Sequence, residues 1–410
     1  MKNLLLIHLE SLNYINYRLN HNMFPALYEL ENQGLFFDHY YSTATSTLMV
    51  IADLLYGGTE QYEQCDSLDY IPKEYYYKSS LFDDLKALGY YTGLYVHPDG
   101  GDRISAEERH IAGFHNEMIL KRDLEEFINV LEEGMTHEPF ALMACNYISN
   151  LSFNQYADFS NYDLNVNAWE IGYRSLDHFI EKLISLLNKK NLWDSTMIVL
   201  YGDHGDDYWT HGFHQGLTHS IEPYELLIHM PLIVLDSSIK EASKNNKLIA
   251  TTDLRELIYN VIVKDENLNN VIPENSFVVS RNEYAAQSLR SESFNKSYSV
   301  TDGRFLLLVS SAGLEMYDVW MDHSCHNNFL RFFLLRENIL FENDDLMQKL
   351  TFHMSNFMSK RTQRILRQTF YSLWNKLYKG TLALYEAGKL SKVQMESEMD
   401  FYHINYGIEH

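Results

Sequence analysis

The chain has 410 residues, with 33 Lys and Arg against 56 Asp and Glu, and so a formal net charge of -23. That acidic excess argues against general nucleic-acid binding, and the length suits one large domain with a smaller one beside it. Three cysteines, Cys65, Cys145 and Cys325, show no paired spacing, which argues against a metal knuckle or disulfide framework and fits a reducing compartment.

Asn3–Leu9 is an apolar run that begins almost at the first residue and reads as an interior parallel strand, with Glu10 and Ser11 at its carboxyl end. The apolar stretch is too short for a signal sequence. No segment reaches the roughly 18 apolar residues of a membrane span, so a cytoplasmic protein is expected. Glu10 is a candidate metal ligand; its plainer reading is a turn or capping carboxylate, since Ser11 and Asn13 favour a turn. Pro25 to Gly34 has helical spacing, with proline at the start and glycine after the end, and Leu35 to Phe37 follows as a short strand.

Ser42, Thr43, Thr45, Ser46 and Thr47 then lead into an apolar helix running to Tyr56. Hydroxyls at a helix start meet free N–H groups and the positive end of the dipole, a natural place for a phosphate ester, although an ordinary cap is the plainer use. Ser80 to His97 repeats the unit as a capped helix, a glycine stop at Gly89 and a strand ending in His97. Phe140 to Cys145 is a further strand with Asn146 beyond it, and Trp169 to Leu187 alternates as a long helix. Strands alternating with helices predict an α/β fold, a mainly parallel sheet sandwiched by helices.

Thr196 to Leu200 reads as a buried strand, and Tyr201-Gly202-Asp203-His204-Gly205-Asp206-Asp207 follows it. The glycines let the backbone turn sharply at the edge where open α/β sheets place their chemistry. Asp supplies a hard oxygen and His a borderline nitrogen, so Asp203 and His204 can both ligate a divalent metal. His211, His214 and His219 crowd the glycine-containing loop behind them.

Met230 to Leu235 is the next strand, and Thr252 opens a helix towards Ile258. From about Asn275 short strands joined by tight turns, including Asp302-Gly303, predict a small antiparallel sheet. Asn328 to His410 reads as helical and rich in aromatics, and between Lys349 and Lys392 its only acid is Glu386. Such a basic tail suits docking on the acidic body, self-association, or peripheral contact with an anionic lipid surface or polyanionic glycan. The expected division is a catalytic domain at 1–274, a small antiparallel subdomain at 275–327 and a helical extension at 328–410.

In order and spacing these motifs resemble the sulfatase and alkaline-phosphatase superfamily. The features that agree are the first strand ending in Glu10, the hydroxyl cluster entering a helix that finishes Leu54-Leu55-Tyr56-Gly57, the unit from Leu85 to Thr92, and Gly202-Asp203-His204-Gly205. Glu222-Pro223-Tyr224-Glu225 with Met230-Pro231-Leu232-Ile233 resembles the segment after the family's metal ligands. Arg304 to Leu307 and Met316 to Asp318 resemble its small carboxyl-terminal sheet. Sulfatases carry a Cys or Ser converted to formylglycine and followed by Pro and Arg, and paired Asp residues at the first strand. Here Thr47 stands at the nucleophile position, followed by Leu48-Met49-Val50, and Glu10-Ser11 stands at the Asp pair. That combination is similar to the phosphoglycerol and phosphoethanolamine transferase branch, whose members are membrane-anchored, whereas no anchor is read in this sequence.

The resemblance implies one divalent ion, manganese or zinc with magnesium or calcium as alternatives, held by Glu10, Thr47, Asp203 and His204. It implies a metal-dependent phosphoesterase or phosphotransferase acting on a phosphate mono- or diester through a Thr47-phosphoryl intermediate, for example on a phospho-alkyl group of a glycan or lipid-linked sugar. His219 and His214 are the candidate proton donors, and His97, His211 and Asn146 the candidate substrate contacts. Thr45 or Ser46 replaces Thr47 as nucleophile if the helix starts earlier. The expected partner is a phosphorylated small molecule or glycan. A sulfate-ester hydrolase, or a non-catalytic binding module that keeps the fold, are the alternatives.

Overall fold

In the computed structural model the described residues are 1–58, 79–97, 118–121, 123–147, 149, 168–207, 210–211, 219, 221–282, 297–310, 313–328, 379 and 382–396. His214, Cys65 and most of the basic tail, residues 329–378 among them, lie outside these. The chain divides into two compact units. The first comprises 1–221, 226–275 and 282–294, and the second 222–225, 276–281 and 295–410.

The first unit is built on one sheet of β1 (Asn3–Leu9), β2 (Leu35–Tyr41), β3 (Tyr91–His97), β4 (Met118–Leu120), β5 (Phe140–Asn146), β6 (Thr196–Gly202), β7 (His229–Leu235), β8 (Ser243–Asn245) and β9 (Ile249–Ala250). Its order is β4-β3-β5-β1-β6-β7-β2-β8, with β9 also on β2. β1 sits centrally, parallel to both β5 and β6, and every residue of β1, β5, β6 and β7 is buried. Burial on both faces explains why these strands are continuous apolar runs and not alternating ones. Alternation still divides the side chains. Leu4 and Leu6 pack with the helices Thr47–Tyr56, Leu81–Ala87 and Asp253–Ile262, while Leu5, Ile7 and Leu9 pack with Leu124–Gly134 and Ala168–Lys190. Each fully buried Leu or Ile contributes about 1.5–3 kcal/mol, so this two-sided core fixes the register that aligns the carboxyl ends of β1 and β6.

β7 runs antiparallel to both β6 and β2, whereas the other pairings in the sheet are parallel. After β6 the chain returns to β7 from the same edge, which only an antiparallel neighbour allows without a crossover. The residues that directly follow β6, Asp203 and His204 among them, thereby lie at the carboxyl edge.

Local sequence sets several element ends. The Leu81–Ala87 helix opens on a capping box, in which the Ser80 hydroxyl accepts from the Asp83 N–H and Asp83 accepts from the Ser80 N–H. Thr47–Tyr56 stops at Gly57, which takes the left-handed conformation at φ 66. Leu124–Gly134 was not read from the sequence, although Asp123 caps it and Phe127, Ile128 and Leu131 form its buried stripe.

The second unit carries the antiparallel sheet of β10 (Val278–Asn282), β11 (Ser297–Thr301), β12 (Phe305–Ser310) and β13 (Gly313–Asp318), in that order. Arg304 braces it with a charge-assisted bond to Asp318 at 2.8 Å, and the Trp320 indole N–H donates to the Gly303 carbonyl. No helix among the described residues is long and apolar enough to cross a membrane.

Candidate metal centre

β1 and β6 are hydrogen-bonded neighbours with Leu9 opposite Gly202, so their next residues, Glu10 and Asp203, emerge side by side. His8, two positions before Glu10, lies on the same face of β1, beneath Tyr147 and Tyr201. His8 Nε2 is 3.2 Å from Glu10 Oε2 and 3.1 Å from Asp203 Oδ2. Asp203 Oδ2 is in turn 3.2 Å from His204 Nε2. All four side chains are fully buried.

The fifth group comes from the helix that packs on this same face of the sheet. The helix starts at Thr47, with Ser46 as its cap, and the Thr47 hydroxyl lies 3.0 Å from His204 Nε2. The neighbouring hydroxyls are used elsewhere: Ser42 donates to the Ala44 carbonyl, Thr43 to Asp53 and Thr45 to the Ile221 carbonyl. Thr47 is also less buried than the groups behind it, which leaves it on the approach side.

Electrostatics fix the protonation states. Burial alone would raise the Asp203 carboxyl, but the His204 and His8 imidazoles beside it hold it well below the usual carboxylate range. Burial pushes the His204 imidazole down to about 4, against the pull of the Asp203 carboxylate. His204 is therefore neutral near pH 7. With its Nδ1 donating to the Gly205 carbonyl at 3.1 Å, Nε2 keeps a lone pair directed at Thr47. Gly205 is required here because a Cβ would collide with the Leu226 carbonyl.

Behind this cluster His219 stacks on His204, with ring centroids 4.1 Å apart, and its Nδ1 lies 3.1 Å from Asp206 Oδ1. His211 pairs through Nδ1 with Asp207. His97 and Asn146 also reach the carboxyl edge, as paired residues of β3 and β5. His97 meets Phe127 edge-on, on the sheet face opposite the Thr47 helix, and Asn146 shares that parity.

Residues 2–260 match the model of the family described as Sulfatase. The chain belongs to the sulfatase family. A search of curated proteins found no match. Among solved structures, this sulfatase-family chain is similar to an alkaline phosphatase superfamily protein from Vibrio parahaemolyticus, at 14% identity over 90% of this chain and 88% of that one, with a TM-score of 0.58. Phosphonate monoester hydrolase of Agrobacterium radiobacter matches at 13% identity over 90% and 96%, with a TM-score of 0.61. A protein solved in complex with its substrate D-glucosamine-2-N,6-O-disulfate matches at 15% over 88% and 99%, with a TM-score of 0.58. At these identities the likeness is one of fold, and the fold is that of the alkaline phosphatase superfamily.

The residues present fit a divalent cation, on which this superfamily depends. Among the described residues, Asp203 Oδ2 has no hydrogen-bond partner, nor has either ring nitrogen of His8, although all are buried. Such atoms are costly to bury unless they have a further partner. Oxygen and imidazole donors about 3.0 to 3.4 Å apart suit an ion with bonds of about 2.1 Å. The one cluster of His, Cys, Asp and Glu found among the described residues is His8, Glu10 and Asp203, with ligand atoms within 4.8 Å of one another.

His8 is the member that the sequence reading passed over. Its signal was present, a single imidazole in an apolar strand two positions before an acid, and hence on the face that meets Asp203. Asp206 is a further such residue; its signal is that it is the first acid after Asp203.

Proposed function

We propose that this sulfatase-family chain is a metal-dependent esterase that transfers a phosphoryl group from a phosphate mono- or diester to Thr47 and then to water or an acceptor alcohol. The observation that carries the reading is the 3.0 Å approach of the Thr47 hydroxyl to His204 Nε2, at the accessible side of a buried cluster of acids and imidazoles. His8, Glu10, Asp203, His204 and Thr47 would hold the ion, and the mixed oxygen and nitrogen donors favour manganese or zinc over calcium. A bound ion supplies Lewis acidity, easing loss of the nucleophile's proton to solvent and neutralising charge on the phosphoryl oxygens.

Thr47 Oγ1 then attacks phosphorus in line, the bond to the leaving-group oxygen breaks, and that oxygen takes a proton from His219. Asp206 holds the far nitrogen of His219 and so fixes which edge of the ring faces the substrate. In the second half-reaction water or an alcohol displaces the Thr47 oxygen, returning its own proton to His219. His214 is the second candidate donor and His211 a candidate substrate contact, whereas His97 and Asn146, on the face away from Thr47, are less suited to that role. The catalytic groups fall within 1–274, the expected catalytic domain.

Phosphorus is favoured over sulfur as the reacting centre because position 47 is Thr, which cannot become formylglycine. The phosphonate monoester hydrolase supports phosphorus chemistry on this fold, and the aminosugar disulfate complex supports a glycan as the carrier of the ester. A panel of nitrophenyl phosphomonoester, phosphodiester, phosphonate and sulfate substrates with Mn²⁺, Zn²⁺ and Mg²⁺ tests the reading. Metal-dependent turnover of a phosphorus ester that is lost in Thr47→Ala is expected; preference for the sulfate would replace it with the sulfatase reading, and inertness with every substrate would favour a binding module.

A further inference from the structure

The peptide that joins the two carboxylates of the cluster has an unusual conformation. Ser11 takes φ 55, in the left-handed region, and is fully buried. The other non-glycine residues there, among those described, are Asn191, Asp265 and Cys325. Asn and Asp tolerate that region through local hydrogen bonds, whereas Ser gains little by it and Gly would be the least strained choice.

What Ser11 does in this conformation is specific. Its N–H donates to Asp203 Oδ1 at 3.1 Å and its hydroxyl donates to Glu10 Oε1 at 3.2 Å. The opposite oxygens, Asp203 Oδ2 and Glu10 Oε2, are the ones that face His8 Nε2. Each carboxylate is thus gripped by one oxygen and aimed with the other. The gripping peptide is itself tied down on both sides: the Ser149 hydroxyl donates to the Glu10 carbonyl at 2.6 Å, and the Tyr173 hydroxyl donates to the Ser11 carbonyl at 3.0 Å.

We propose that Ser11 is the positioning residue of the metal centre, its left-handed backbone orienting Asp203 and its hydroxyl orienting Glu10. The proposal rests on the metal-centre reading above. It explains why a strained Ser occupies a place where Gly would satisfy the turn: the hydroxyl is the part that Gly lacks. Outer contacts of this kind tune metal affinity by about 10- to 100-fold.

The test compares Ser11→Gly, Ser11→Val, Glu10→Gln and Asp203→Asn with the unaltered full chain, all stripped of metal. Mn²⁺ affinity is read by calorimetry, metal-free stability by thermal unfolding, and ligand geometry by the visible spectrum of the Co²⁺ form. Ser11→Gly keeps the backbone arm and removes only the hydroxyl. It should unfold at the same or a higher temperature without metal, bind Mn²⁺ about tenfold or more weakly, and shift the Co²⁺ bands. Ser11→Val, which disfavours the left-handed backbone, should bind more weakly still. If Glu10→Gln and Asp203→Asn bind Mn²⁺ as the unaltered chain does, the metal-centre reading fails. If those two lose binding while Ser11→Gly keeps the unaltered affinity and spectrum, the Ser11 proposal alone is overturned. A metal-free midpoint that falls in Ser11→Gly marks a merely structural role and overturns it too.

Discussion

Thr47 Oγ1 and His204 Nε2 lie 3.0 Å apart although 157 positions separate them, one at a helix start and the other on the turn after β6. The contact sets Thr47 apart from the other four clustered hydroxyls, because Ser42, Thr43 and Thr45 donate elsewhere and the buried Ser46 hydroxyl makes no hydrogen bond to His204. Thr47→Ser keeps an oxygen nucleophile and should retain turnover, whereas Thr47→Ala should lose about 10³-fold or more in kcat. Steady-state rates on an aryl phosphodiester check this, and full activity in Ser46→Ala separates the neighbour from the nucleophile.

If the buried acids and imidazoles hold an ion as proposed, that ion should stabilise the fold. With Mn²⁺ or Zn²⁺ at about 100 times its dissociation constant, linkage predicts a gain of about 2.7 kcal/mol. Thermal unfolding should show the gain in the unaltered chain and its loss in Asp203→Asn. His8→Gln should lower the affinity as well, since His8 Nε2 faces both carboxylates.

Acid should destabilise the metal-free protein in a defined window. Burial lowers His204 from 6.5 to about 4, so the unfolded chain takes up this proton first. The contribution is intact above 6.5 and drains away as the pH falls towards 4, by on the order of 3 kcal/mol in all. Chemical denaturation with a chelator present, repeated between pH 7 and 4, should show the loss. His204→Gln should show a shallower slope over the same range.

Proton donation by His219 should depend on the leaving group. His219→Ala should lower kcat by about 10²-fold or more for alkyl esters and far less for nitrophenyl esters, whose leaving group needs no proton. Asp206→Asn should repeat that pattern more weakly while leaving Mn²⁺ affinity close to that of the unaltered chain, because Asp206 meets His219 and not the donor cluster. Equal losses on both ester types would remove His219 from the donor role.

Gly205→Ala should damage the fold at this edge. The new Cβ would collide with the Leu226 carbonyl, and the Gly205 N–H bond to the Leu227 carbonyl at 3.1 Å holds the same turn. A backbone clash of this kind is expected to cost several kcal/mol, with His204 displaced as the turn gives way. Thermal unfolding and the Mn²⁺ titration should fall together.

Most of this arrangement could be read from the sequence because it follows from local rules. Apolar β-branched runs set the strands, hydroxyl and proline signals set the helix starts, and the glycines around Asp203 and His204 mark a turn at the carboxyl edge. Other features depend on pairing, which local rules do not encode. That β7 runs antiparallel follows from the return path between β6 and β2. The approach of His8 to Asp203 follows from β1 lying beside β6 in a particular register. Ser11 reads as an ordinary turn residue until its φ of 55 and its two carboxylate contacts are seen together.

Thr47 is the residue proposed to carry the transferred group. With Mn²⁺ bound, the protein is mixed with an aryl phosphodiester or phosphomonoester, quenched in acid within the first turnovers, digested and mapped by mass spectrometry. The expected result is a phosphoryl or phospho-ester adduct on Thr47 that is lost with a chelator and missing from Thr47→Ala. Undiminished turnover in Thr47→Ala, or an adduct on another residue, would contradict the account.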